Sequence, residues 1–211
     1  LLALALAAYA LALTLGRGRL GVLNVALLAT ALAGGVFFVF AESRVASPLI
    51  RLALFRNPLL SGGFASSALV TTVVMATLVV GPFYLTAAFA LDAAGVGLVM
   101  STGPIIAALT GIPAGRLVDR FGADRMAVAA LLVMVVGTTL LAALPAHSGI
   151  AGYVAPLLLV TGGYAAFQTA NNTAVMKDVA LDQRGLVSAL LNLSRNLGLI
   201  TGASLMGAVF A

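Results

Sequence analysis

Eleven consecutive residues, Gly115 to Arg125, carry three of the chain's eleven basic residues and two of its six acidic ones. The surrounding chain is 62% hydrophobic and 8% charged, so charge gathered in one place needs a physical use. The chemistry open to these side chains is ionic: Arg116, Arg120 and Arg125 can pair with Asp119, with Asp124 or with lipid phosphate. Contacts that exist in only one conformation of a helical bundle bias the equilibrium between conformations. Gly115 lets backbones approach closely, and Gly122 supplies a turn conformation barred to other residues. Asp119 is expected just ahead of a helix beginning near residue 126, where the helix dipole and free N–H groups favour a carboxylate. The plainer alternative is a basic loop that only orients the chain across a membrane.

The remaining polar groups sit inside apolar runs. Gln168, Thr169, Asn171, Asn172 and Thr173 fall together in one of them. Amides at membrane depth are costly unless paired, so they line a substrate cavity or bond between helices. Gln168 is expected about 12 Å from the cytoplasmic end at 1.5 Å per residue. Ser188, Asn192, Arg195, Gly198 and Gly202 recur at three- and four-residue steps and share one helical face. Arg195, about two turns into its run, either faces the bundle interior or reaches back to the interface along its apolar stem. Tyr84 adds a further cavity candidate beside Ser66, Ser67, Thr71, Thr72 and Thr77, hydroxyls that can bond back to their own helix. No run carries a His/Glu/Asp cluster or a Ser/His pair, which argues against an enzyme. The only histidine, His147, falls in a connecting loop, and with no cysteine there is no thiolate chemistry. No metal or other cofactor is implied.

So little polar material cannot clothe a water-soluble domain, where about 25% of residues are charged. The chain uses lipid as solvent, and its apolar residues come in runs rather than in alternation, so the spans are helices and not barrel strands. The expected fold is an all-α polytopic transmembrane helical bundle. Seven spans are drawn at roughly 1–15, 20–41, 60–86, 96–117, 126–145, 153–176 and 187–211. Lys and Arg in the intervening loops alternate, eight in the 42–59, 115–125 and 177–186 loops against two in the others. The positive-inside rule places those three loops in the cytoplasm of a multi-pass cell (inner) membrane protein. The +5 net charge is thereby explained by orientation, without nucleic acid. The chain opens and closes in mid-run, at Leu1 and at Phe210-Ala211, as a piece of a longer protein would.

Within the 42–59 loop, Pro48 and Pro58 bracket a short amphipathic piece that should lie in the cytoplasmic interface. Gly81-Pro82 should loosen the third span. Gly103-Pro104 and Gly111 with Pro113 should break the fourth twice, which is tolerated where neighbours or water satisfy the freed carbonyls.

The spacing of Gly115, Leu117, Asp119, Arg120, Gly122 and Arg125 resembles the signature loop of the major facilitator superfamily of secondary transporters, with departures at Ala123 and Asp124, where a basic residue is usual. Two further stretches resemble that superfamily's fourteen-span drug:proton antiporter branch. One is Pro48 to Asn57, after Glu42; the other is Gln183-Arg184-Gly185 followed by Asn192 to Gly198 and Gly202. On this resemblance residues 1–41 are two linker helices, 42–59 a cytoplasmic interfacial loop, and 60–211 five spans of a C-terminal half that lacks its last helix. The resemblance implies proton-coupled efflux of small amphipathic molecules by alternating access, by a monomer in the lipid bilayer. The cavity would be lined by Gln168, Asn171, Asn172, Asn192, Arg195 and Tyr84. Proton coupling needs an embedded carboxylate, and here only Asp92, at the outer edge of a span, lies away from the cytoplasmic loops. The coupling acid would therefore belong to the absent half, or be Asp92. A proton-driven nutrient or metabolite symporter of the same superfamily is the alternative; a non-transporting membrane protein is a more distant one.

Overall fold

The structure, a computed structural model, describes residues 1–15, 21–45, 50, 52–143 and 148–209. Arg17, Arg19, Pro48, Leu49, Arg51, His147 and the Phe210-Ala211 end lie outside the described residues. The described residues form seven α-helices and one short 3-10 helix: α1 (Leu2–Thr14), α2 (Val22–Glu42), the 3-10 turn Leu52–Arg56, α3 (Pro58–Phe89), α4 (Ala93–Phe121), α5 (Ala123–Ala142), α6 (Gly149–Met176) and α7 (Arg184–Val209). No strand occurs among them. Leu- and Ala-rich sequence favours helix, and in lipid a helix satisfies all its backbone groups internally.

Each expected span appears as a helix, with two qualifications. Five helices, α2 to α6, are long and apolar enough to cross a membrane. α1 has 13 residues, short of the roughly 20 that a crossing needs. α7 is long enough at 26 residues, but Asn192, Ser194, Arg195 and Asn196 keep it outside the apolar class. The expected breaks are absent: α3 runs through Pro82, and α4 runs through both Pro104 and Pro113. A proline removes one hydrogen bond, and in each case the flanking turns keep the helix continuous. The described part of the 42–59 connection ends in the 3-10 turn, and Pro58 opens α3, where its missing N–H costs nothing.

The chain divides into two compact units. One joins residues 1–72 with 188–211; the other is residues 73–187. In the first, α1 and α2 form a hairpin. Asn24, 5% exposed, locks it: its amide Nδ2 donates to the carbonyls of Ala12 (2.6 Å) and Leu15, and its Oδ1 accepts from Gly21 N–H. Three otherwise orphaned backbone groups at helix ends are satisfied by one side chain. Across this unit Tyr9 Oη and Thr201 Oγ1 are 2.6 Å apart, tying α1 to α7. α7 also meets the first half of α3, where Thr71 Oγ1 donates to the Arg195 carbonyl at 3.2 Å.

In the second unit α6 packs against both α4 and α5. Small residues set the spacing. A Cβ on Gly163 would lie 2.7 Å from Met134 Cγ, and one on Gly137 would lie 2.9 Å from the Val160 backbone nitrogen. Close approach through small residues is the normal route to helix association in lipid. Leu85, Tyr153 and Leu157 form a buried cluster, flanked by Phe89, Val96, Met100 and Leu141. Asp92 begins α4 by accepting from Gly95 N–H at 2.9 Å. Large apolar side chains elsewhere, such as Val22, Leu98, Leu132 and Val136, are exposed, as lipid-facing surfaces are.

Candidate functional site

The charged stretch is not a loop. α4 continues to Phe121 and α5 starts at Ala123, so the reversal is made by Gly122 alone, at φ 88° and ψ 148°. That backbone region is essentially reserved for glycine. Gly122 N–H still bonds the Val118 carbonyl (2.9 Å), and its own carbonyl accepts from Met126 N–H (3.2 Å), so both helices are hydrogen-bonded to the joint. Asp119 therefore stands in the last turn of α4, not ahead of a helix start near 126. The physical reason is propensity: nothing in Arg116-Leu117-Val118-Asp119-Arg120 demands non-helical backbone, so the helix runs on until a residue with positive φ ends it. The dipole logic changes accordingly. Asp119 lies at the unfavourable, negative end of α4, Arg120 in the same turn is favoured, and Asp124 takes the favourable first turn of α5. Asp119, Arg120, Asp124 and Arg125 are all exposed, and the Arg120 guanidinium sits 5.3 Å from the centre of the Phe121 ring. Gly115 is half-buried and Leu117 exposed.

The cavity candidates of residues 73–187 fall at two depths. Tyr84 stacks on Tyr153 (centroids 5.6 Å apart, planes at 21°) and meets Phe89 edge-on. With Thr77, Val80, Gly81 and Leu141, the two tyrosines line a cavity of about 240 Å³. Among the described residues the buried Tyr84 hydroxyl has no hydrogen-bond partner, and the Tyr153 hydroxyl meets the Met100 thioether at 3.9 Å. Gln168 lies fifteen residues beyond Tyr153 on α6, about 22 Å away at 1.5 Å per residue, so it belongs to another level of the helix. Its Nε2 donates to Tyr164 Oη at 2.6 Å while its Oε1 is buried and unpartnered. Asn171 is buried and Asn172 half-buried. In α3 the hydroxyls of Thr71, Thr72 and Thr77 bond back to carbonyls of their own helix, as the sequence suggested.

In the other unit, the α7 residues at three- and four-residue steps do not share one environment. Ser188 and Asn192 are exposed, Arg195 is half-buried, and Gly198 and Gly202 are buried. Arg195 takes a mixed course: Nη1 donates to Asn192 Oδ1 at 3.3 Å, while its Nε is buried. Gly198 lies so close to α3 that a Cβ there would overlap Thr71 Oγ1 and the Ala68 carbonyl.

The family model of the Major Facilitator Superfamily matches residues 60–211, most of the chain. The chain belongs to the Major Facilitator Superfamily. Proteins similar to it include the uncharacterized transporter YebQ of Escherichia coli, 28% identical over 82% of this chain and 38% of that protein. The multidrug efflux pump LfrA of Mycolicibacterium smegmatis is 23% identical over 86% of this chain and 36% of its own length. The riboflavin transporter RibZ of Clostridioides difficile is 28% identical over 86% of this chain and 40% of its own length. The chain thus spans about two fifths of the length of these curated relatives. As a member of a transporter family it is a multi-pass membrane protein.

Sequence reasoning missed one residue of the major facilitator chain. Tyr153 forms half of the aromatic pair, and its hydroxyl fits because Gly81 opposes it; a Cβ on Gly81 would sit 2.6 Å from that oxygen. A tyrosine opening one run and a glycine ending another give no one-dimensional signal of meeting. Ser67, named with the other hydroxyls of its run, is fully buried, and its Oγ has no hydrogen-bond partner among the described residues.

Proposed function

We propose that the complete protein is a proton-coupled exporter of small amphipathic molecules, seated in the cell (inner) membrane and working as a monomer by alternating access. The observation that carries this reading is the similarity to the multidrug efflux pump LfrA, which extends over 86% of the chain and so includes residues ahead of 60–211. The apolar, tyrosine-lined cavity supports it: flat apolar walls with few polar groups suit amphipathic cargo better than a sugar or an acid. In this reading Tyr84, Gln168, Asn171, Asn172, Asn192 and Arg195 are the cargo-contacting candidates. Gly115, Leu117, Asp119, Arg120, Gly122 and Arg125 set the balance between conformations. The proton gradient is the only co-reactant. None of the chain's six acids lies within the apolar interior of a helix: Glu42 ends α2, Asp92 caps α4, Asp119 and Asp124 flank Gly122, and Asp178 and Asp182 follow α6. Asp92 is occupied in capping, so the coupling carboxylate is assigned to the part of the protein outside these residues.

The test is proton-driven flux in everted vesicles containing the full-length protein. Expulsion of a lipophilic cation, abolished by an uncoupler, is the expected result; no such flux, with uptake of a polar metabolite instead, reverses the reading. The similarity to the riboflavin transporter RibZ, 28% identical over 86% of the chain, favours uptake of a flat heteroaromatic nutrient as the second reading. Asp119→Asn in the same protein should lower flux at least several-fold while leaving its thermal stability unchanged, because the carboxylate is exposed. Unchanged flux would remove Asp119 from the conformational machinery.

A further inference from the structure

The unit of residues 1–72 and 188–211 holds a second concavity, about 520 Å³, at the end of the helices that the basic loops place in the cytoplasm. Its walls are Leu32, Val36 and Val39 of α2, Ile50, Phe55 of the 3-10 turn, and Leu193 of α7. The volume is in the ~300–1,000 Å³ range of small-molecule sites. Unlike those sites, it has no polar side chain on its walls among the described residues, which suits an apolar occupant. Its floor is built, not incidental. Ile50 is 6% exposed, and its N–H donates to Glu42 Oε2 at 3.4 Å, which ties Ile50 to the end of α2. Phe55 is fixed by the Phe64 ring 5.9 Å away and by Ser61 Oγ, which donates to the Phe55 carbonyl at 2.7 Å.

The polar chemistry sits beside the groove. Arg44 is exposed just past α2, with its guanidinium 4.4 Å over the Phe40 ring, next to the wall residue Val39. Arg56, also exposed, directly follows the wall residue Phe55. Glu42, at the end of α2, accepts the Ile50 N–H. An apolar slot whose wall residues Val39 and Phe55 are followed in the chain by two exposed arginines is complementary to a molecule with a hydrocarbon tail and an anionic head. Basic sites between helices on the cytoplasmic side recognise acidic lipid head groups in this way.

The geometry points to a binding site for one anionic phospholipid of the cytoplasmic leaflet, with an acyl chain in the α2–α7 groove and the head-group phosphate between Arg44 and Arg56. The site is separate from the tyrosine-lined cavity and does not depend on what the protein transports.

The experiment is native mass spectrometry of the full-length protein released from nanodiscs of phosphatidylglycerol mixed with phosphatidylcholine. The wild type should retain one phosphatidylglycerol in preference to phosphatidylcholine, on the order of 30-fold if each arginine contributes as cations near a bilayer surface do. Arg44→Gln with Arg56→Gln should abolish that preference while keeping a lipid of either kind. Both residues are exposed, so the fold is not at stake. Gly35→Leu should exclude lipid of both kinds, because a Cβ at Gly35, which also lines the groove, meets nothing within 4 Å and the larger side chain extends into open space. Equal retention of the two lipids by the wild type overturns the proposal, as does undiminished retention by Gly35→Leu. Absence of any retained lipid, with the groove protected from a lipid-soluble quencher, assigns it to another segment of the protein and overturns the proposal equally.

Discussion

Replacing Gly198 by alanine tests whether α7 is held against α3 at the distance the structure shows. The added Cβ would overlap both Thr71 Oγ1 and the backbone carbonyl of Ala68. A hydroxyl can rotate away, but a carbonyl within a helix cannot move without its turn. Overpacking costs about 1–3 kcal/mol, and two overlapping atoms, one of them backbone, place this site at the upper end. Alanine returns about 0.5–1 kcal/mol through its better helix propensity. The net loss is then about 2 kcal/mol, a fall in melting temperature of roughly 4–8 °C at ~2–4 °C per kcal/mol for a chain of this size. Circular dichroism of the detergent-solubilised protein on heating reads this directly. Gly111→Ala in α4 is the control: a Cβ there meets nothing, so only the propensity gain of ~0.5–1 kcal/mol remains and the melt should rise slightly. Adding Thr71→Ala to Gly198→Ala should rescue less than half of the loss, because the Ala68 carbonyl stays in place. If Gly198→Ala melts with or above the control, the α3–α7 contact is looser than described and the reasoning fails. Full rescue by Thr71→Ala would assign the whole overlap to the hydroxyl.

Two further changes probe other sites. Gly122→Ala should destabilise by about 1–3 kcal/mol, since φ 88° with ψ 148° is open to glycine almost alone, whereas Gly115→Ala, with nothing near its Cβ, should not; equal melts for the two variants would refute the single-residue joint. Tyr84→Phe removes a buried hydroxyl without a partner, so it should leave stability unchanged or raise it by up to ~1 kcal/mol, and a loss above that would reveal a hydrogen bond that the structure lacks.

The helices themselves were legible because lipid leaves no alternative. Long apolar runs bounded by charge can satisfy their backbone in lipid only as helices. The helix ends were less legible. Charge between Arg116 and Arg125 looked like a loop because charge in an apolar chain usually marks an exit from the membrane. Exit from the membrane and exit from the helix are different events, and only Gly122 forces the second. The prolines misled in the same way: Pro82, Pro104 and Pro113 each forfeit one bond, but the turns around them hold the helices together.

The sequence by itself therefore determined the solvent, the helical class and the superfamily, all of which follow from local composition and spacing. Which side chains meet was decided by tertiary structure. The pairs Tyr84 with Tyr153, Tyr9 with Thr201 and Gly198 with Thr71 lie 69, 192 and 127 residues apart in the chain. No periodicity within one helix encodes such pairings. They depend on how closely two helices approach, and that distance is set by where a missing Cβ on one helix faces a hydroxyl or carbonyl on the other.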